Sequence, residues 1–243
     1  MTEERWPEMR AALAAAERPV FFTGAGMSAD SGIPTFRGPG GMWRGSRPEE
    51  LATPEAFARD PQKVTDWYRM RRGIIAGADP HAGHRALAAY TQSREGAIVV
   101  TQNVDGLHQR AGCPRVEELH GSIWIDRCSR CSQEVVRDST DPIPEEGSDL
   151  PRCPCGSLQR PGVVWFGESL DPGTIERSVA ALQRADAVVV VGTSSVVQPA
   201  ASLVDLAPPD ARRIEVNPDP GRPEGEHCLG TAAEVLPVLL GTS

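Results

Sequence analysis

A glycine turn directly after a short apolar stretch places the strongest constraint on how this chain can fold. The apolar residues Pro19 to Phe22 run into Gly24-Ala25-Gly26, and Ala29 follows three residues later. In the nucleotide-binding turn of doubly wound folds, the first glycine permits a tight bend, the second lets a phosphate approach the backbone, and a small third residue lets a helix pack closely. The pattern predicts a strand, a dinucleotide-binding turn and a helix, although such turns also join strands to helices without any ligand.

Length, composition and charge limit the classes of protein that remain. The 243 residues, of which 40% are hydrophobic, can bury one substantial core and carry a small second module. The first 18 residues lack the basic and apolar regions of a secretory signal, and no stretch approaches the roughly 20 apolar residues that span a bilayer. We therefore expect a cytoplasmic protein with no membrane partner. The net charge of −8 argues against direct nucleic-acid binding and favours cationic partners such as lysine-rich peptides.

The rest of the chain alternates between apolar strand-like runs and helical patterns. Strands are predicted at 97–101, 187–192 and 213–216, and each ends in a polar loop. Polar loops at the carboxyl ends of parallel strands are where doubly wound folds bind ligands, whereas any single one of them could be an ordinary connector. The glycine turn and three such loops together predict an α/β fold, a doubly wound, Rossmann-like parallel sheet.

Two stretches interrupt this alternation. Residues 44–83 read as a helical insertion, and residues 121–160 contain clustered cysteines with a Pro- and acid-rich middle. We predict that the Rossmann-like domain is formed by 1–43, 84–120 and 161–243, and that the second interruption is a small zinc-binding module.

Four of the six cysteines occur in two close pairs, Cys128 with Cys131 and Cys153 with Cys155. Paired thiolates from two short turns can surround a tetrahedral Zn²⁺, and four sulfurs leave no open position for water or substrate. The predicted zinc site is therefore structural. Disulfides are the alternative, and a cytoplasmic location disfavours them. The acidic residues between the pairs would repel the phosphates of a nucleic acid.

The residues that continue the glycine turn, Ser28, Ser31-Gly32-Ile33-Pro34 and Phe36-Arg37-Gly38, are far less common than the turn itself. They resemble the signature of the sirtuins, which are NAD-dependent protein deacylases. Further blocks extend the resemblance in the same order along nearly the whole chain: His120-Gly121, Val163 to Glu168, Gly192-Thr193-Ser194 and Gly230 to Pro237. The departures are Asp30, where sirtuins commonly carry Glu, and a C-x-C second cysteine pair where they usually carry C-x-x-C.

The resemblance implies three groups of residues that contact NAD. The glycine turn would contribute Gly24 and Gly26, and the loop that closes over the cofactor would contain Ala25, Thr35, Phe36, Arg37 and Trp43. The nicotinamide and its ribose would be held by Gln102, Asn103, Val104 and Asp105. The adenosine half would be held by Gly192, Thr193, Ser194, Asn217, Pro218, Asp219 and Ala232.

The catalytic residues implied by the resemblance are His120, Asn103 and Asp105. A lone histidine is more often structural than catalytic, but sirtuins carry their general base in a His-Gly pair at this place. An imidazole suits the role because its ordinary pKa of about 6.5 lets it accept a proton near neutral pH. The reaction implied is transfer of an acyl group from lysine to the ribose of NAD, which releases nicotinamide and O-acyl-ADP-ribose.

Substrate residues are implied at two places. Phe166, Gly167 and Glu168, with residues 196–198 including Val196, would flank the acyl-lysine peptide and pair with its backbone. Ala52, Tyr68 and Arg71 look like the sirtuin subclass that accepts succinyl- and malonyl-lysine, because residues three apart share a helix face and can converge on one carboxylate. The alternative for the second group is a solvated face of an amphipathic helix.

Three other functions remain open from the residues alone. They are an NAD-dependent ADP-ribosyltransferase on the same fold, a nicotinamide dehydrogenase, and a non-enzymatic regulator that binds zinc and a nucleotide. A dehydrogenase would be expected to carry an acidic residue about 20 positions after the glycine turn, at the end of a second strand. In this chain the corresponding position is 43–48, and no strand pattern precedes it.

Overall fold

A parallel β-sheet of six strands forms the centre of the molecule in the computed structural model, which describes residues 6–35, 41, 47–194, 197–219 and 225–241. The strands are β1 (Pro19–Thr23), β2 (Ile98–Thr101), β3 (Val116–Glu118), β7 (Ala187–Val191), β8 (Arg212–Asn217) and β9 (Glu226–Leu229). Their order in the sheet is β3-β2-β1-β7-β8-β9, and every pairing is parallel. The doubly wound, Rossmann-like α/β fold expected from the sequence is confirmed.

The central strands β1 and β7 are buried along their whole length, as their unbroken apolar runs require. Helices cover both faces of the sheet and contribute to two hydrophobic clusters. One face packs against α1 (Trp6–Ala15), α5 (Ala82–Gln92) and α8 (Ala232–Leu240). The other face packs against α7 (Pro172–Leu182) and the 3₁₀ helix Ala200–Leu206.

A second, antiparallel sheet lies beside the first. It contains β4 (Gly121–Cys128), β5 (Glu134–Val136) and β6 (Gln159–Val163) in the order β5-β4-β6. The remaining α-helices are α2 (Pro48–Leu51), α3 (Pro54–Arg59), α4 (Pro61–Ala76) and α6 (Leu107–Ala111). Helices α2 to α4 lie in the stretch expected to be a helical insertion, and the boundaries drawn between domains stay a prediction.

Arg69, which is buried, and Arg72, which is partly buried, attach α4 to the region of the second sheet. Arg72 donates from Nε to the carbonyl of Ile123 at 2.7 Å and from Nη2 to the Asp126 carboxylate at 2.7 Å. Arg69 donates from Nη2 to the carbonyl of Asp149 at 2.7 Å. Buried guanidinium groups are tolerated only when such partners satisfy them, so these bonds fix the rotation of α4 about its axis. The alternative of a solvated helix face does not hold for Tyr68 and Arg71, which are 2% and 5% exposed.

The helix after the glycine turn is a 3₁₀ helix, Ala25–Ser31, and it begins with a bond from the Met27 N–H to the Gly24 carbonyl at 2.9 Å. It ends at Gly32, whose φ of 83° lies in the left-handed region that favours glycine. No helix in the described part of the chain combines the length and apolar character needed to cross a membrane.

Candidate functional site

A cleft of about 590 Å³ opens at the carboxyl edge of the large sheet. The order of the strands reverses between β1 and β7, since the chain moves to β2 and β3 on one side and to β8 and β9 on the other. Such a switch point leaves a crevice outside the strand ends, where open α/β sheets bind ligands. Four loops line the cleft, one after each of β1, β2, β7 and β8: 24–26, 102–104, 192–194 and 217–219.

The glycines of the turn bring two of these loops into backbone contact. The Gly26 N–H donates to the Gly192 carbonyl at 2.7 Å. A Cβ atom at Gly26 would lie 2.7 Å from the Gly192 Cα, and one at Gly24 would lie 2.8 Å from the Thr193 Cβ. Real Cβ atoms do not approach other atoms this closely, so any side chain would separate the two loops. These glycines thus have a packing role at the floor of the cleft, in addition to the phosphate approach expected from the motif.

A buried hydrogen-bond network sets the orientation of the Asn103 amide. Its Nδ2 donates to the Gly24 carbonyl at 3.0 Å and to Ser28 Oγ at 3.2 Å. Ser28 Oγ in turn donates to the Asp105 carboxylate at 2.8 Å. Because the amide nitrogen is used inside the protein, the amide oxygen of Asn103 is the atom left for a ligand.

Asp105 lies behind the wall of the cleft and does not line it. Its other carboxylate oxygen accepts from the Leu107 N–H at 2.9 Å, and the residue is only 5% exposed. Burial raises the pKa of Asp105, while the hydrogen bonds from Leu107 and Ser28 oppose that shift. In this position Asp105 acts on the cleft through Ser28 and Asn103.

His120 lines the cleft beside the loop that follows β2. Its Nδ1 is 3.0 Å from the carbonyl of Gln102. A carbonyl can only accept, so Nδ1 carries the proton in this bond and Nε2 holds the lone pair. Burial lowers the pKa of His120, and the bond to Gln102 opposes this only in part. The ring is therefore neutral near pH 7, with one nitrogen ready to accept a proton.

The opposite end of the cleft is built from α4 and the segment after β6. Tyr68 and Arg71 both line it, with Ala52, Trp67 and Trp165. The Arg71 guanidinium lies 4.9 Å from the ring centroid of Trp67 and 5.4 Å from that of Tyr68. Burial lowers the pKa of Arg71 and raises that of Tyr68. This end of the cleft thus presents a guanidinium and a neutral phenol within aromatic walls.

The four clustered cysteines converge at one end of the second sheet. Their sulfurs all lie within 4.8 Å of one another, with Cys128 3.5 Å from Cys155 and Cys131 3.6 Å from Cys153. Zn–S bonds of about 2.3 Å in a tetrahedron place sulfurs about 3.8 Å apart, whereas a disulfide needs about 2.05 Å. The backbone N–H groups of Arg130 and Cys131 each approach Cys128 Sγ at 3.4 Å, which favours a thiolate. The four sulfurs fit a structural zinc ion, and the two sulfurs of the C-x-C pair lie close enough to the other two to share it.

We expect one tightly held zinc ion per chain. Cys128→Ser and Cys155→Ser should each lower both the zinc content and the melting temperature, because structural zinc contributes folding free energy directly. Elemental analysis of protein purified without added metal, combined with thermal melting, measures both. Cys113→Ser is the matched control, since Cys113 lies outside the cluster and should leave the zinc content unchanged. Fully active protein that contains no zinc would contradict the prediction.

Comparison with known proteins identifies the chain. A sequence model described as the Sir2 family matches residues 24–199. The chain belongs to the Sir2 family. Among its Sir2 relatives is NAD-dependent protein deacylase 1 of Archaeoglobus fulgidus, 47% identical over 226 residues that cover 91% of each chain. Another is NAD-dependent protein deacylase 1 of Pseudomonas aeruginosa, 49% identical over 239 residues that cover 94% of this chain and 95% of the relative.

A solved Sir2 homologue in complex with NAD has the same architecture. It superposes with a TM-score of 0.88 at 44% identity, and the alignment covers 97% of this chain and 93% of that one. The sirtuin resemblance drawn from the glycine turn and the later blocks is confirmed.

Most residues that the sequence assigned to this Sir2 site, and that the structure describes, do line the cleft. They are Gly24, Ala25, Gly26, Thr35, Ala52, Tyr68, Arg71, Gln102, Asn103, Val104, His120, Phe166, Gly167, Glu168, Gly192, Thr193, Ser194, Asn217, Pro218 and Asp219. Asp105 and Ala232 are buried and do not line it. Phe36, Arg37, Trp43 and Val196 lie outside the described residues.

Several residues that line the cleft had no predicted site role. Trp67, Trp165, Leu170 and Pro199 all border the cleft. Trp165 had a usable signal, since it stands next to Phe166 in a block that resembles sirtuins. Trp67 reads as an ordinary residue of an amphipathic helix. Only the rotation of α4 brings its ring to the cleft.

Proposed function

We propose that this Sir2 protein removes succinyl and malonyl groups, together with acetyl groups, from lysine side chains of proteins, with NAD as co-substrate. NAD-dependent protein deacylation is the activity named for its relatives in Archaeoglobus fulgidus and Pseudomonas aeruginosa. The observation that carries the choice of acyl group is the buried pair Tyr68 and Arg71, which lines the same cleft as Asn103 and His120.

The overall reaction joins an acyl-lysine amide, NAD and water to give lysine, nicotinamide and O-acyl-ADP-ribose. The amide oxygen of the acyl-lysine would attack the ribose carbon of NAD, and nicotinamide would leave from that carbon. The His120 Nε2 lone pair would take the proton of a ribose hydroxyl, which then attacks the acyl carbon. The Asn103 amide oxygen would hold the nicotinamide end, and the loops 192–194 and 217–219 the adenosine end.

The charge at the far end of the cleft favours an acidic acyl group. A guanidinium stays protonated at physiological pH and carries its donors in a planar fork that matches a carboxylate. A succinyl or malonyl carboxylate beside Arg71 would therefore be attracted by its charge and accept bidentate hydrogen bonds. The neutral phenol of Tyr68 can donate to the same carboxylate. Acetyl-lysine has no carboxylate, so it would bind without this gain.

The rest of the substrate would be a peptide lying over the segment after β6. Phe166 is 45% exposed although it borders the cleft, and Gly167 and Glu168 line the cleft beside it. The exposed residues Phe166 and Gly167 would lie along an extended peptide that pairs as an added strand. This contact, like the cytoplasmic location, stays a prediction.

Product analysis tests the proposed function. The protein is incubated with NAD and peptides that differ only in carrying acetyl-, succinyl- or malonyl-lysine, and the products are measured by mass spectrometry. We expect nicotinamide and the matching O-acyl-ADP-ribose in equal amounts, with desuccinylation equal to or faster than deacetylation. Unacylated peptide and omission of NAD are the controls. Transfer of ADP-ribose to protein without loss of the acyl group would indicate the ADP-ribosyltransferase instead.

The pH dependence of deacylation should report on His120. Below its pKa the imidazole is protonated and cannot act as a base, so the rate should fall as the pH falls through that pKa. Burial lowers the pKa of His120 from its ordinary 6.5. The acidic limb of kcat/KM against pH should therefore have its midpoint below 6.5. A midpoint above that value, with melting unchanged across the range, would contradict the prediction.

A further inference from the structure

The indole of Trp165 is hydrogen-bonded to the hydroxyl of Tyr68 inside the cleft. Nε1 of Trp165 lies 2.9 Å from the Tyr68 oxygen, although the two residues are 97 positions apart in the chain. Both side chains are 2% exposed, so water does not compete for this bond. An indole N–H can only donate, which makes the Tyr68 oxygen the acceptor.

The bond from Trp165 does not use the phenol's own hydrogen. The Arg71 guanidinium lies 5.4 Å from the Tyr68 ring centroid, and it carries only donors, so it cannot accept that hydrogen. The O–H bond must therefore point away from the indole N–H, and burial raises the pKa of Tyr68, which keeps this hydrogen in place.

Trp165 is itself held on its other side. The Arg160 guanidinium stacks 3.9 Å from its ring centroid and donates to both carboxylate oxygens of Glu168, at 2.8 and 3.0 Å. One of those oxygens accepts the backbone N–H of Trp165 at 2.8 Å. Glu168 therefore uses both carboxylate oxygens to support Trp165, although it borders the cleft. The indole is clamped in the orientation that reaches Tyr68.

We propose that Trp165 is a positioning residue for acyl selectivity: its indole N–H orients the Tyr68 hydroxyl so that the phenol donates its hydrogen to the carboxylate of a succinyl or malonyl group. This inference rests on the proposed function, because it assumes that Tyr68 reads the acyl carboxylate. Trp165 would contact Tyr68, which recognises the acyl carboxylate, and not the carboxylate itself. The Arg160–Glu168 pair keeps that residue in place.

A double-mutant cycle tests the proposal. Trp165→Phe keeps an aromatic ring but removes the N–H, and Tyr68→Phe removes the hydroxyl that this N–H is proposed to orient. Both single variants and the double variant are compared with wild type on succinyl and acetyl forms of one peptide. The binding of both peptides is measured by calorimetry, and melting temperatures check the fold.

We expect Trp165→Phe to lower kcat/KM for the succinyl peptide about ten times more than for the acetyl peptide, mainly through KM. The acyl carboxylate is remote from the reacting carbon. Losing a hydrogen bond to it should therefore weaken substrate binding and leave the chemical step unchanged. In the Tyr68→Phe background the same substitution should have almost no further effect, because the hydroxyl it orients is gone.

Three results would overturn the proposal, and they differ in whether Tyr68 keeps its role in acyl recognition. Equal losses on both peptides, or a full further loss in the Tyr68→Phe background, would show that Trp165 only supports the fold, and the acyl selectivity itself would stand. A Tyr68→Phe variant with an unchanged ratio of succinyl to acetyl activity would remove Tyr68 from acyl recognition and overturn the role of Trp165 with it.

Discussion

His120→Ala is expected to leave a folded protein that still binds NAD but deacylates about 10² to 10⁴ times more slowly, which is the usual contribution of a general base. The Nε2 lone pair is available because Nδ1 is 3.0 Å from the Gln102 carbonyl, and alanine has no group to replace it. Parallel kcat/KM measurements on acetyl and succinyl peptides should show similar losses, since the base acts on the ribose and not on the acyl tail.

Calorimetric titration with NAD and thermal melting are the controls for this variant. If NAD affinity and melting temperature are unchanged, the lower rate of deacylation is a defect in the chemical step. The variant should also lose the acidic limb of its pH profile, because the group responsible for that limb is absent. Turnover close to that of wild type would remove His120 from the mechanism.

Arg71→Met is expected to reduce desuccinylation by a factor of tens to thousands and to spare most of the deacetylation. Truncating one partner of a buried charge pair typically costs about 2 to 5 kcal/mol, and only the succinyl substrate forms that pair. Methionine keeps much of the apolar stem of arginine, so the walls formed by Trp67 and Tyr68 should stay in contact. The ratio of kcat/KM for the two acyl peptides is the measurement.

Arg59→Met is the matched control for this substitution. Arg59 ends α3 in the same helical stretch, and its side chain is exposed. It should leave both activities and their ratio unchanged. Equal losses on both peptides for Arg71→Met would mean that Arg71 supports the fold and does not read the acyl group.

The sequence alone was sufficient for features whose chemistry is local. The glycine turn predicted a ligand site after β1, and four paired cysteines predicted a metal site, because each depends on residues within a few positions of one another. The apolar runs of β1 and β7 predicted a buried parallel sheet. The resemblance to sirtuins then placed His120 and the pair Tyr68 and Arg71 in one site, and all three do line one cleft.

Only the tertiary structure decided how these side chains are held. The tautomer of His120 depends on a carbonyl that precedes it by 18 positions, and the direction of the Tyr68 hydroxyl depends on an indole 97 positions away. The withdrawal of Asp105 behind Ser28, and the rotation of α4 set by Arg69 and Arg72, also follow from packing between distant segments. Local sequence sets the secondary-structure propensity and the chemical groups of each segment. Burial and hydrogen-bond partners are set only when segments far apart in the chain pack against one another.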